Sequence, residues 1–341
     1  MNLKINAITR SGVAPSGWYR IGVLKPIFAA HDILINEITP KVSSLPPPEN
    51  YKRLAWLFAA LWERFTYLNL LKKTDITILQ RELISTIPTF ERFLPGKLIL
   101  DVDDAIFLNK RGLAAINAAK ASVGVVCGNA YLAEYFSRYN TNIKIIPTGV
   151  DVNKMMIDPK RLEKPGKKII GWIGTASNLK YFEPITAALC SILKEFGDEV
   201  ELRIVTSHSS AIPIELSNVC NFVKWYPNIE FDELPTWTLG LMPLDDDPWT
   251  RGKCAFKMLQ YMSAGIPVVV SPVGMNIDVL NLGQFGYGPE TEEQWYEVIK
   301  TLLENDSLNY QFGMAARVIA ERDFSLESVV DKWLDVLDEW C

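Results

Sequence analysis

Short apolar runs with no polar alternation recur along the chain, separated by stretches long enough for helices. In the first half they fall at residues 3–8, 33–38, 76–79, 98–102, 123–126 and 143–146, and in the second at 168–173, 200–205, 219–223, 239–244 and 266–270. Runs of this kind read as strands buried on both faces of a sheet. Because parallel neighbours need crossover connections, each half predicts an α/β unit with a doubly wound parallel sheet flanked by helices. Helices are expected over 19–30, 54–71, 178–196 and 326–340, the last carrying Val329, Val330, Trp333, Leu334 and Leu337 on one side.

The most informative stretch is 243–276, PLDDDPWTRGKCAFKMLQYMSAGIPVVVSPVGMN. A helix starting near Gly252, turning about 100° per residue, puts Lys253, Lys257, Gln260 and Ala264 in one stripe. Cys254, Ala255, Met258, Leu259 and Met262 fill the other side, and Gly265 followed by Pro267 ends the helix. With the apolar side on the sheet, the lysines and Gln260 are expected to look outward. Such a stripe is either a solvated face or a ligand-facing one. Its neighbours favour a ligand: three acids, Trp249 and Arg251 precede it, and Gly274, Met275 and Asn276 follow the strand at a sheet end, where α/β proteins bind.

The run LQYMSAGIPVVVSPVG resembles the donor site of glycosyltransferases with two Rossmann-like domains, the GT-B fold, in particular a bacterial branch of family four. That family carries Glu-Gly-Phe-Gly, several apolar residues, then Glu-Ala-Met-Ala-x-Gly-x-Pro-Val-Val. Its two glutamates fall here on Gly252, which offers no carboxylate, and on Gln260, which can still hydrogen-bond a ribose hydroxyl. IIPTGVD at 145–151 is similar to the Ile-Pro-Asn-Gly-Val-Asp run that ends the family's first domain, and Cys127, Gly128 and Asn129 match the strand end before it. The resemblance implies two Rossmann-like domains with a cleft between them and transfer of a sugar from a nucleoside diphosphate, with retention, to a glycan or lipid-linked acceptor. It also implies no bound metal and no other cofactor. Trp172 and Ser177 stand roughly where the family has Arg and Lys, so the charge that neutralises the diphosphate is expected at Lys253, Lys257 and Arg251. An epimerase of the same fold and an inactive binding protein are the alternatives.

Composition fits that architecture. A chain of 341 residues suggests two domains, expected at 1–153 for the acceptor and 154–324 for the donor, with 325–341 as a helix packing back on the first. With 48% hydrophobic and 22% charged residues it is globular. Five scattered cysteines without a CxxC pair suggest reduced thiols, and two histidines argue against a histidine-based zinc site. A net charge of −5 with no basic aromatic cluster argues against nucleic acid as a partner. The start reads as a strand rather than a signal peptide, and no apolar run reaches the roughly 18 residues of a membrane span, so a cytoplasmic protein is expected. Residues 54–71, interrupted by Glu63 and Arg64, read either as a largely buried helix or as one touching the inner face of a membrane through Trp56, Trp62 and Phe65, near Lys52, Arg53, Lys72 and Lys73.

Remaining candidates lie at strand ends. Gly12 in the loop after the first strand is a turn or a site of close ligand approach, and Arg20 beyond it is expected to meet a charged ligand. Asp101, Asp103 and Asp104 crowd the end of one strand; they cap a helix, or Asp103 and Asp104 serve as acceptor-binding or proton-accepting groups. Gly174 and Thr175, with Ser177, lie between a buried strand and a helix start, a ready anion site. His208 is a loop histidine or a cleft residue.

Overall fold

A computed structural model describes residues 3–10, 15–71, 74–155 and 166–340. Gly12, Lys72, Lys73 and most of the connection expected at 155–168 lie outside the described residues. The chain divides into two compact units, one made of residues 1–149, 251–254 and 326–341, the other of 150–250 and 255–325. Residues 251–254, read from the sequence as part of the second half, thus group with the first unit.

Each unit holds a six-stranded parallel sheet. In the first, β1 (Leu3–Ile8), β2 (Ile33–Ile38), β3 (Ile76–Gln80), β4 (Lys97–Val102), β5 (Gly124–Cys127) and β6 (Ile143–Ile145) lie in the order β2-β1-β3-β4-β5-β6. In the second, β7 (Lys168–Ile173), β8 (Val200–Thr206), β9 (Cys220–Lys224), β10 (Leu239–Met242), β11 (Val268–Val270) and β12 (Gly286–Tyr287) lie in the order β12-β11-β10-β7-β8-β9. The direction of winding reverses between β1 and β3 and between β7 and β10. Loops at such reversals diverge to opposite faces and leave a crevice at the strands' carboxyl ends. β12 was missed in the sequence because two residues carry no periodicity.

Helix boundaries differ from the expected ones for local reasons. The first helix is broken into Pro15–Arg20, a 3-10 turn Gly22–Leu24 and Lys25–Ala30, the last with Pro26 in its first turn. Pro184 lacks the N–H that an α-helix needs, so the helix expected at 178–196 is 3-10 over Ala176–Ile185 and α-helical only over Thr186–Phe196. The helix Arg53–Leu70, read as largely buried or as touching a membrane through Trp56, Trp62 and Phe65, is not largely buried: Leu54, Phe58, Trp62 and Phe65 are exposed.

The closing helix Leu326–Trp340 joins the core of the first unit, where Val329, Val330, Trp333 and Leu337 pack with Leu3, Ile5, Leu24 and Phe28. Trp333 is fully buried, and its indole N–H has no hydrogen-bond partner. Trp333→Ala is therefore expected to cost about 3–5 kcal/mol in urea unfolding. Trp333→Phe should cost far less, because it keeps most of the buried ring and removes a donor that is already unpaired. Equal losses for the two variants would contradict this packing.

Candidate functional site

The crevice of the second unit is built from the ends of β7 and β10. The helix expected from Gly252 begins only at Phe256, after Ala255 in the left-handed region at φ 49°. Within Phe256–Ser263, residues 258–263 are buried. Tyr261 fixes this helix under the sheet. Its hydroxyl donates to the Leu241 carbonyl at 3.1 Å and accepts from the Ile173 N–H at 3.3 Å, bridging β10 and β7. Burial holds its ionisation well above the usual tyrosine range, so it remains a neutral hydroxyl. Arg317 holds the other end, donating to the carbonyls of Ser263, Met155 and Val152. A cationic side chain on the last carbonyls of a helix suits its negative end.

One turn before Tyr261, Lys257 lies across the start of the loop that follows β7. Its Nζ is 5.7 Å from the centre of the Trp172 ring, and a Cβ added to Gly174 would stand 2.5 Å from the lysine Cε and 2.9 Å from that ring. Glycine at 174 is thus what lets the lysine stem pass. Gly174 itself donates to Val205, while Asn178 donates to the Thr175 hydroxyl at 2.9 Å. Neither Thr175 nor Ser177 caps the turn that opens at Ala176. Its first N–H groups have no partner within the turn.

Beyond β11, Gly274 takes a positive φ of 55° before the helix Met275–Leu280. Asn276 is buried and donates to the Ser271 carbonyl at 2.9 Å, and the Ser271 hydroxyl accepts from Leu244, tying the loops after β10 and β11 together. Asp247 and Thr250 bond each other at the start of the short helix Pro248–Arg251. Burial, together with Asp247 and Asp245, pushes the Tyr181 hydroxyl up to about 12. His208 is exposed and meets Ser210 at 2.9 Å.

Three of the expected donor residues are therefore placed differently from the expected stripe. Lys253 is off the helix, in the segment that groups with the first unit, so it does not share a helical face with Lys257. Arg251 lies in the same segment. Gln260 lies within the helix but is buried, not part of an exposed stripe.

In the first unit, carboxylates and guanidinium groups are matched. Arg20, expected to face a ligand, is 2% exposed; it bonds both oxygens of Asp101 and the Ile146 carbonyl. Burial works against both charges and pushes the Asp101 carboxyl up, yet Asp101 lifts Arg20 above its ordinary value, so the two are held as an ion pair. Arg81, which the sequence reading overlooked, donates to Asp103 at 2.8 Å and to Asp104 at 2.5 Å. Despite burial, Arg81 holds Asp103 below its ordinary value; burial and Asp103 push Asp104 up.

Segment 251–254 is fastened beside these acids. Asn129 caps the helix Ala130–Phe136 through its oxygen and donates its amide to the carbonyls of Arg251 and Lys253. The Cys254 thiol donates to the Asp103 carbonyl at 3.1 Å. Thr9, Arg10, Gln80, Arg81 and Glu82 line a small cavity of about 40 Å³ at the reversal between β1 and β3.

No family model matches the chain. Among curated proteins, spore coat protein SA of Bacillus subtilis is 25% identical over 190 residues, 51% of this chain and 49% of that protein. The match thus spans about half the length of that relative. Among solved structures, sucrose-phosphate synthase from Thermosynechococcus elongatus superposes with a TM-score of 0.76 at 12% identity, covering 99% of this chain and 98% of that one. WaaG, a glycosyltransferase of lipopolysaccharide biosynthesis, gives 0.68 at 14% identity over 98% and 99%, and Anabaena HepE in complex with UDP and glucose gives 0.67 at 14% over 98% and 99%. The fold is GT-B.

Within this GT-B chain the acid cluster makes a test of its own. Arg81→Met leaves the partly buried Asp103 and Asp104 without their guanidinium, and removing one partner of a well-buried pair costs roughly 3–5 kcal/mol, an upper bound here. The sign with pH follows. In the native protein Asp103 titrates below its ordinary 3.8, so its contribution is present above that value and lost as pH falls through the folded value. In the variant an unpaired, partly buried carboxylate titrates above 3.8, so stability is lost as pH rises. The gap between native protein and variant in urea unfolding is therefore expected to widen from pH 4 to pH 7. A gap independent of pH would show that the pairs carry little energy.

Proposed function

We propose that this chain transfers a sugar from a nucleoside diphosphate to an acceptor of the glycan or lipid-linked kind. The observation that carries the reading is the passage of Lys257 over Gly174 and Trp172 at the reversal between β7 and β10. Breaking a glycosidic bond to a diphosphate builds negative charge on the leaving group. Fixed cations and backbone N–H groups stabilise such charge best when they are positioned beforehand. Lys257 supplies the cation, and the first N–H groups of the turn at Ala176 supply the dipoles. HepE and WaaG, of the same fold, support the reading, the first by its complex with UDP and glucose. Retention of anomeric configuration is the outcome we propose, in line with the family resemblance. We assign charge compensation to the protein alone, so a chelator is expected to leave transfer unchanged.

A nucleoside diphosphate should raise the melting temperature, because binding to the native state alone adds about 2.7 kcal/mol at a hundredfold excess over Kd. The decisive assay is transfer or donor hydrolysis with a panel of nucleotide sugars. If UDP, GDP, ADP and dTDP all leave the melting temperature unchanged and no donor is consumed, the reading fails.

Lys257→Ala is expected to fold normally and to lower turnover about 100- to 1,000-fold, more than it weakens donor binding, since the charge grows as the bond breaks. Gly174→Ala should reproduce part of that loss, because its methyl group displaces the lysine stem. Steady-state kinetics beside circular dichroism checks both; full activity in a folded Lys257→Ala protein would remove the lysine from the chemistry.

A further inference from the structure

The helix Arg53–Leu70 carries apolar residues on its outward face as well as its inward one. Its two charged residues after the first turn, Glu63 and Arg64, face the protein. Arg64 is fully buried, bonded to Glu63 and to the Val42 and Leu83 carbonyls, and Glu63 accepts from the N–H groups of Lys41 and Val42. The outward face is apolar instead. Leu54, Phe58 and Trp62 follow one another at intervals of four and are 67%, 68% and 72% exposed, with Phe65 a turn further on. Ala55 and Ala59 are the other outward positions of these turns, so the face runs about 17 Å along the helix with no charge in it. Phe65 meets Phe90 edge-on, and three residues beyond Phe90 the exposed Phe93 lies under Arg92 at 4.5 Å. A globular helix normally shows water the opposite pattern.

No helix among the described residues is long and apolar enough to cross a membrane. We propose that this face lies flat on the surface of an anionic lipid bilayer. Charge complementarity selects that occupant. Exposed Arg53 opens the helix and exposed Arg92 stacks on Phe93 beside the face, while the acids nearby are engaged: Glu49 by Lys52, Glu63 by backbone N–H groups, and Glu91, buried, by Thr89 and Asn117. A basic rim around aromatic and aliphatic residues is what binds the boundary of headgroups and acyl chains. A second copy of the same face would bring like charges together.

The test is co-sedimentation of the full chain with vesicles of phosphatidylcholine alone and of phosphatidylcholine with phosphatidylglycerol. The protein should sediment with the anionic vesicles and bind the neutral ones much more weakly. Phe58→Ser and Trp62→Ser should each weaken binding on the order of tenfold. Arg53→Gln and Arg92→Gln should each weaken it about fivefold, for the anionic vesicles only. All these positions are exposed, and unchanged melting temperatures would establish that the variants fold. Absence of sedimentation with either vesicle, or equal binding to both, overturns the proposal. A dimer that Trp62→Ser dissociates would also overturn it and give the face to a second copy.

Discussion

The hydroxyl of Tyr261 governs the geometry of the second unit's crevice. It is buried between β7 and β10, bonded to a backbone group of each, and its ring packs where Gly240 leaves no side chain. A buried hydroxyl without partners costs about 1–3 kcal/mol, so the helix that carries it is held in one register. Arg317 fixes the same helix at its far end through the Ser263 carbonyl. Lys257 precedes Tyr261 by four residues and so projects from the same side. Where Tyr261 goes under the sheet, Lys257 must reach its edge. Gly174 is the complementary condition, since any larger residue there would occupy the volume of the lysine stem.

The first unit handles charge in another way. Arg20 with Asp101, and Arg81 with Asp103 and Asp104, are matched within the crevice walls. Each group on its own would be expensive to bury, and such pairs add less to stability than their removal takes away. What they add is fixed position. The Asp103 carbonyl is held where the Cys254 thiol reaches it, and Asn129 takes two carbonyls of the same segment. Segment 251–254 is thereby fastened through two backbone carbonyls and the Cys254 thiol.

Sheet architecture was legible in the sequence because parallel strands are continuous apolar runs, and most of the twelve fell where those runs predicted. The helix stripe at 253–260 was not. Periodicity assumes that a helix continues back to its first compatible residue, and nothing in residues 251–255 announces that the Arg251 and Lys253 carbonyls are claimed by Asn129 or that Ala255 turns left-handed. Arg20 failed as a ligand contact for a similar reason: its partner Asp101 is 81 residues away. Long-range pairing also hid Arg81 and Arg317, neither of which sits in a motif, and the role of Tyr261, which lies within the LQYMSAGIPVVVSPVG run. The polarity of Arg53–Leu70 misled differently. Its apolar residues were plain to see, but which face they occupy depends on Arg64 and Glu63 finding Val42 and Lys41.

Gly252 shows how closely these constraints are joined. The resemblance would seat a glutamate at this position, yet a Cβ there would stand 2.7 Å from the Ala105 Cβ and 2.8 Å from its nitrogen. Backbone nitrogen cannot give way as a side-chain tip can. A glutamate at 252 would therefore require segment 251–254 to leave its present seat, breaking the bonds from Asn129 and Cys254 that fix it. The absence of the carboxylate is a consequence of that fastening rather than an isolated exchange. In the proposed reaction, charge compensation then falls to cations, and Lys257 is one that Tyr261 holds at the end of β7.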